Sequence, residues 1–167
     1  ALLSCAERPG GASVSASSPH RPGIRARFRL VTMPADVQPR GLEQPADIEL
    51  SVVVPVYDEE AVLPLLAARL RPVLDGLDTS YEVIAVDDGS RDQSPVVLSR
   101  LSRDWPALRI VRLRANAGHQ AAISAGLTRA RGRYVVTIDA DLQDPPETIA
   151  EMVALVRREP EVDVVYG

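Results

Sequence analysis

After residue 48 the chain alternates short apolar runs with stretches of helical period. Leu50-Ser51-Val52-Val53-Val54-Pro55-Val56-Tyr57 reads as a buried strand, and Asp58-Glu59-Glu60 follows it at once. Val62, Leu65, Leu66, Leu70, Val73 and Leu74 then recur at the spacing of one helix face. Tyr81–Val86 predicts a second strand, residues 108–113 a third, and Val135–Ile138 a fourth. Helices fit about 93–103, 119–130 and 146–158, and Val162–Tyr166 reads as a further strand. Strands alternating with helices over short connections predict right-handed crossovers and an α/β fold with a mostly parallel sheet. Ligands of such sheets sit beyond the carboxyl ends of the strands. Three of these strands end in acidic or aromatic polar residues: Tyr57 and Glu59, Asp87 and Asp88, Asp139 and Asp141.

The last pair carries the clearest chemistry. Asp139 and Asp141 stand two residues apart where an apolar run stops. Side chains alternate along a strand but fan around a turn, so the two carboxylates converge if the backbone bends between them. Carboxylates meeting in an apolar setting repel, and burying them unpaired costs several kcal/mol. A divalent cation removes both penalties. Hard oxygen ligands suit magnesium or manganese, which keep waters and share their remaining positions with substrate phosphates. The pattern therefore points to a metal–diphosphate site, with a solvated Asp-rich turn as the plain alternative.

Composition narrows the rest. The chain has 167 residues and is 46% hydrophobic, enough for one ordinary domain. Residues 1–47 are rich in Pro, Gly, Ser, Ala and Arg without a sustained period and read as a disordered tail. Met33 is the first methionine, so the segment before it is compatible with an upstream translated extension. Ala1–Ala6 is too short and weakly apolar for a signal peptide. The single Cys5 lies in that tail and offers neither a disulfide nor a cysteine metal site. All 19 basic residues are Arg, which excludes any mechanism that needs a lysine. The net charge of −4, with the acidic part after residue 47, argues against nucleic-acid binding through a basic surface. No run of about twenty apolar residues exists to form a transmembrane helix.

Taken in order, the segments resemble the family 2 glycosyltransferases of GT-A (Rossmann-like) fold, nearest the branch of dolichol-phosphate mannosyltransferase and polyprenyl-phosphate glycosyltransferases. The matching stretches are Ser51-Val-Val-Val-Pro-Val-Tyr-Asp-Glu-Glu60, Tyr81-Glu-Val-Ile-Ala-Val-Asp-Asp-Gly-Ser90 with Asp92, and Arg112-Leu-Arg-Ala-Asn-Ala-Gly-His-Gln-Ala-Ala122. To these add Ala130-Arg-Gly-Arg-Tyr-Val135, Asp139-Ala-Asp-Leu-Gln-Asp-Pro-Pro-Glu147 and Asp163-Val-Val-Tyr-Gly167. The resemblance covers about residues 49–167. It implies that residues 48–167 form the nucleotide-sugar-binding N-terminal half of a catalytic domain, inactive alone, with acceptor-side elements and membrane contact lying outside this chain. The complete protein would work at the cytoplasmic face of a membrane.

The resemblance also implies roles. Asp141, the catalytic position, and Gln143 look like metal ligands for Mg2+ or Mn2+; Asp139 either ligates too or contacts ribose or a metal-bound water. Pro55, Tyr57, Glu59, Val86, Asp88, Asp139 and Ala140 look like the donor pocket. The donor would be a UDP- or GDP-sugar and the acceptor a polyprenyl or dolichyl phosphate, with inversion at the anomeric carbon. Asp58 departs from the Asn usual before the Glu pair and adds charge near the base. Asn116, Gly118, His119 and Gln120 stand where a turn opens a helix, whose N–H groups could hold polar or anionic groups. His119 itself reads first as a surface or capping residue. Asp144 reads as an N-cap or substrate contact, Pro145-Pro146 as the start of the following helix, and Trp105 and Leu108 as packing.

Competing readings exist. A haloacid-dehalogenase-like phosphohydrolase also places an Asp-x-Asp after a strand, and a receiver domain uses paired acids, but both commonly depend on a lysine. A dinucleotide oxidoreductase would want Gly-x-Gly-x-x-Gly where Val56-Tyr57-Asp58-Glu59 stands. A non-catalytic nucleotide-binding fragment is the remaining alternative.

Overall fold

The computed structural model describes residues 29–32, 48–159 and 161–166. In chain order the elements are β1 Arg29–Thr32, β2 Leu50–Val56, α1 Leu63–Asp75, β3 Tyr81–Asp87 and α2 Ser94–Asp104. They continue with β4 Leu108–Arg112, α3 His119–Leu127, β5 Tyr134–Thr137, α4 Thr148–Arg158 and β6 Val164–Tyr166. One sheet joins them in the order β4-β3-β2-β5-β1-β6. The four strands from β4 to β5 are mutually parallel, each reached by a helical crossover, as the alternating pattern predicts.

Strand β1 corrects the reading of residues 1–47. It falls inside the stretch whose composition suggests disorder, yet its backbone pairs antiparallel with both β5 and β6. The physical reason lies in the sheet. Without β1 the outer edge of β5 would present a row of N–H and C=O groups in need of partners, and a short extended segment meets that need whatever its wider composition. The rest of that stretch, with Cys5 and Met33, lies outside the described residues, as does Gly167.

Both faces of β2 are buried, in keeping with its unbroken apolar run apart from Ser51. Val52, Val54, Val56, Val83, Ala85 and Val136 face α1, α2 and α4, which contribute Leu66, Leu70, Leu74, Leu98, Ile149 and Val153 to that core. Val53, Ile84, Val86 and Val135 form a second core with Ala122 and Ala130 on the α3 side. Helix α3 comes unusually close to the sheet because residue 126 is glycine: a Cβ there would lie 2.3 Å from Val53 Cγ1. Pro64 and Pro95 sit in the first turns of α1 and α2, where a missing N–H breaks no helical bond.

At the amino ends of the strands, away from the acidic tips, Glu82 ties the α3–β5 connection to the sheet. Its carboxylate is 2% exposed and accepts from Ser51 Oγ at 2.8 Å and Arg131 N at 2.8 Å. Arg131 Nη2 at 2.7 Å and Arg109 Nη1 at 2.6 Å complete the charge pairing. A buried carboxylate with this many donors is satisfied; remove it and two guanidiniums lose their partner. The network fixes where β5 starts, and so where its acidic end arrives.

Among the described residues no helix is long and apolar enough to cross a membrane.

Candidate functional site

The carboxyl ends of β2, β3 and β5 meet at one cavity of about 280 Å³. Two loops are first locked to each other there. After β2 the backbone turns left-handed at Asp58, at φ 55°. Asp58 N, Glu59 N and Glu60 N then donate across to Ser90 Oγ, Ser94 Oγ and Asp92 Oδ2 at 3.1, 2.8 and 3.0 Å. The loop after β3 answers: Arg91 N donates to Asp58 Oδ1 at 2.7 Å and Gln93 N to Glu60 Oε2 at 2.7 Å. This reciprocal clasp gives a role to the Asp at 58. Its carboxylate is engaged by backbone donors, and an aspartate is among the few side chains that tolerate the left-handed turn. Asp58 does not line the cavity, so the charge expected near the base is directed into the clasp instead.

The neighbours Asp87 and Asp88 diverge, as alternation along a strand requires. Asp87 is fully buried, accepts from Ser90 N at 2.8 Å and faces Arg112 Nε at 3.1 Å. Its Oδ2 has no well-directed hydrogen bond, so the ion pair with Arg112 is what offsets its charge. Asp88 turns to the cavity and accepts from Ala117 N at 2.7 Å and Gly118 N at 2.9 Å. Of the positions that the sequence suggests for holding an external anion at the start of α3, Gly118 thus has its N–H held by the protein's own carboxylate. Gly89 seals this contact: at φ 71° it lets the backbone of Ala115 and Asn116 approach to where a Cβ would lie only 2.7 Å away. The docked turn brings Asn116 and His119 to the cavity.

From β5, Ile138 N continues the ladder to Val53 O at 3.0 Å, and the chain then bends through Asp139-Ala140-Asp141. Gln143 N donates to Asp141 Oδ1 at 3.0 Å, and Leu142 takes a left-handed φ of 61°. The turn at Ala140 and Asp141 is the bend the two acids need to face one space, and the Leu142 conformation follows it. Asp139 Oδ1 lies 3.6 Å from His119 Nε2.

Of the residues singled out in the sequence, Pro55, Tyr57, Glu59, Asp88, Asp139, Ala140 and Asp141 line the cavity. Two do not. Val86 is completely buried in the core beneath α3, because it lies within the strand, two residues short of Asp88, which shares its face at the strand end. Gln143 is exposed beyond the left-handed Leu142, where its backbone, not its side chain, supports Asp141. Gly118 and Gln120 likewise are not lining residues, whereas Val56 and Ala122, not singled out before, are. Ala122 was legible in principle, as the residue one turn beyond Gly118 on the sheet-facing side of α3. Asp144 is buried but does not cap α4, whose N-cap is Glu147; Pro145 and Pro146 form the turn ahead of that helix. Trp105 is buried, its indole N–H donating to Tyr81 Oη at 3.0 Å, and Leu108 is core.

The electrostatics are one-sided. Glu59, Asp88, Asp139 and Asp141 line the space, with His119 the one lining side chain that can carry a positive charge. Burial pushes the Glu59 carboxyl above its ordinary range, and repulsion from Asp141, Asp92 and Asp58 adds to it. Among the described residues no three His, Cys, Asp or Glu side chains are arranged as a complete metal cage. What the cavity offers is a pair of hard oxygen donors, Asp139 and Asp141, on one turn amid surplus negative charge. That donor set fits a cation such as Mg2+ or Mn2+, which takes a few carboxylates and fills its sphere with water or ligand oxygens.

An open, mostly parallel sheet with an acidic crevice at its strand ends defines an α/β protein whose ligand site lies at the carboxyl edge of the sheet. The family model for "Glycosyl transferase family 2" matches residues 51–167, and the chain belongs to that family. It is 47% identical over 106 residues to the uncharacterized glycosyltransferase YkcC of Bacillus subtilis (strain 168), covering 64% of this chain and 33% of that one. It is 47% identical over 112 residues to an undecaprenyl-phosphate 4-deoxy-4-formamido-L-arabinose transferase of Pseudomonas paraeruginosa, covering 66% and 33%. The chain therefore spans about a third of the length of the curated relatives it matches. Among solved structures it resembles the mannosyltransferase PcManGT from Pyrobaculum calidifontis in complex with GDP-Man and Mn2+, at TM-score 0.54 and 29% identity, covering 66% of this chain and 32% of that one. S. aureus TarS 1-349 in complex with UDP-GlcNAc gives a TM-score of 0.53 at 26% identity, covering 68% and 32%. The family match over residues 51–167 sets aside the phosphohydrolase, receiver and oxidoreductase readings.

Proposed function

We propose that this chain is the donor-binding part of an enzyme that moves a sugar from a UDP- or GDP-linked donor to a polyprenyl phosphate, with inversion and with help from Mg2+ or Mn2+. The observation that carries the reading is the convergence of the acidic ends of β2, β3 and β5 on one cavity. Asp141 and Asp139 would hold the cation, with Gln143 supporting Asp141 through its backbone N–H. When bound, the cation supplies charge that stabilises the departing nucleoside diphosphate. Tyr57, 38% exposed at the cavity, offers a face for the base, and Glu59 accepts from base or ribose donors. Asp88 fixes the turn that carries Asn116 and His119, and Ala140 and Ala122 leave room for close approach.

A phosphate acceptor is already an anion near neutral pH. Transfer to it calls for positioning more than for a general base, and no cavity side chain here is set up as a dedicated base. The names of the undecaprenyl-phosphate relatives support the same acceptor class. Work on such an acceptor would place the complete protein at the cytoplasmic face of a membrane, through parts outside this chain.

The test is calorimetric titration with UDP- and GDP-sugars, with and without Mn2+, followed by transfer assays on the full-length protein. Metal-dependent binding with transfer to a polyprenyl phosphate is expected, and Asp141→Ala should abolish it. Substantial metal-dependent turnover in Asp141→Ala would reject the assignment. Binding without transfer by the full-length protein would leave a nucleotide-binding role only.

A further inference from the structure

The cavity lining is anionic, and a sugar diphosphate arriving there brings more negative charge. One divalent cation offsets only two of those charges. A donor directed at the phosphates would offset part of the remainder. The sequence contains no lysine, and among the described residues no arginine lines the cavity. The amides of Ala117 and Gly118 are already given to Asp88. Tyr57, Asn116 and His119 are the lining side chains that can donate, and of these His119 follows directly on the turn that Asp88 holds.

Its position suits the task. His119 is the first residue of α3, and Gly118, not His119, occupies the N-cap. The Asp88 contact fixes the backbone just before it. The ring lies with Nε2 3.6 Å from Asp139 Oδ1, outside hydrogen-bond length, and its side chain is 51% exposed. It is thus held at the cavity by its backbone and has room to turn toward a ligand. A residue serving only the fold would be expected to be packed or bonded more completely.

We propose that His119 is a diphosphate-binding residue, whose imidazole N–H donates to a phosphate oxygen of the donor while the ring stays beside Asp139. This rests on the donor being a nucleoside diphosphate sugar, as proposed above. The role is distinct from metal ligation, since the ring approaches the ligand from the α3 side and Asp141 from the β5 turn.

The experiment is calorimetry of UDP and GDP binding to the full-length protein in Mn2+, comparing wild type, His119→Ala and His119→Lys, with thermal melts of each. His119→Ala should bind the preferred diphosphate at least about tenfold more weakly, the size of one lost hydrogen bond to a charged group, with an unchanged melting temperature. His119→Lys, which restores a donor of different shape, should recover most of that loss. Unchanged affinity in His119→Ala would overturn the inference. So would an equal loss in both variants, which marks a structural role. If the wild type binds neither diphosphate, the glycosyl-transfer reading itself fails and this inference with it.

Discussion

Asp88→Ala removes the carboxylate that holds the turn before α3 and leaves the rest of the sheet in place. Two backbone donors, Ala117 N at 2.7 Å and Gly118 N at 2.9 Å, lose a buried charged acceptor. A hydrogen bond to a charged group contributes about 1.5 to 3 kcal/mol. The two together would approach twice that, but Ala117 is exposed and Gly118 half-buried, so water replaces part of what is lost. A net loss of about 2 to 3 kcal/mol against local opening follows, or roughly 30- to 150-fold less protection of these amides. Native-state hydrogen exchange reads this residue by residue. Val83 N, bonded to Ala107 O at 2.9 Å in the neighbouring strand pair, serves as the internal reference. Protection should fall at Ala117 and Gly118 and hold at Val83. Asp88→Asn should fall in between, since its amide keeps one acceptor oxygen and turns an NH2 group toward the second donor. Because the same turn carries Asn116 and His119, donor affinity should weaken in step with the lost protection. Unchanged exchange at Ala117 and Gly118 would refute the clamp; an equal loss at Val83 would make Asp88 a determinant of global stability instead.

Other perturbations separate the remaining parts. Gly89→Ala combines a left-handed φ of 71° with a Cβ 2.7 Å from backbone that cannot give way, and should cost about 2 to 4 kcal/mol in urea melts. Gly118→Ala, at φ 93° but with nothing within 4 Å of the added Cβ, should cost only about 1 kcal/mol of strain. Burial pushes the Glu82 carboxyl up, but Arg131, Arg109 and Ser51 together outweigh it and hold it below its ordinary range. Its stabilisation is therefore complete above that range and disappears as pH falls through the lowered value. Glu82→Gln should cost about 2 to 4 kcal/mol at neutral pH, moderated by guanidiniums that are 37% exposed, and its deficit should shrink in acid. Glu59→Gln relieves the burial cost of the charge and the repulsion from Asp141, Asp92 and Asp58 that together raise Glu59; it should slightly raise the melting temperature of metal-free protein while weakening donor binding.

The sequence made the parallel sheet and its acidic edge legible because both rest on local signals. Short apolar runs and period-3.6 spacing located the central strands and helices, and carboxylates directly after those runs pointed to the strand ends that meet at the cavity. What it concealed depends on geometry across the chain. Strand alternation puts Val86 and Asp88 on the α3 side and separates both from Asp87; position along the strand then decides that Val86 is covered while Asp88 reaches the cavity. Whether the amides at Ala117 and Gly118 await a ligand or are already held depends on an aspartate 29 and 30 positions earlier. Strand β1 answers a need of the β5 edge that its own composition does not announce.

The placement of strain ties these features together. Among the described residues, positive φ occurs at Asp58, Asp78, Gly89, Gly118 and Leu142. All but Asp78 stand at the rim of the acidic cavity: one after each of the three contributing strands, and one at the start of α3. Left-handed Asp58 and Leu142 each carry a conformational cost of about 1 to 2 kcal/mol, offset in part by the backbone donors on Asp58 Oδ1 and by the packing of Leu142 against the core. Repulsion at Glu59 adds to it. Such a concentration of unfavourable terms persists only where the surroundings over-determine it, and here they do. The reciprocal bonds between residues 58–60 and 90–94, the Asp88 contact to the α3 turn and the Gln143 N–H on Asp141 each fix one acidic tip before any ligand arrives. A site assembled this way does not fold around its ligand. Its carboxylates are placed beside one another in advance, so on the proposed function a cation meeting them would release repulsion rather than order the chain, and the affinity that would otherwise go into ordering would be available for the diphosphate.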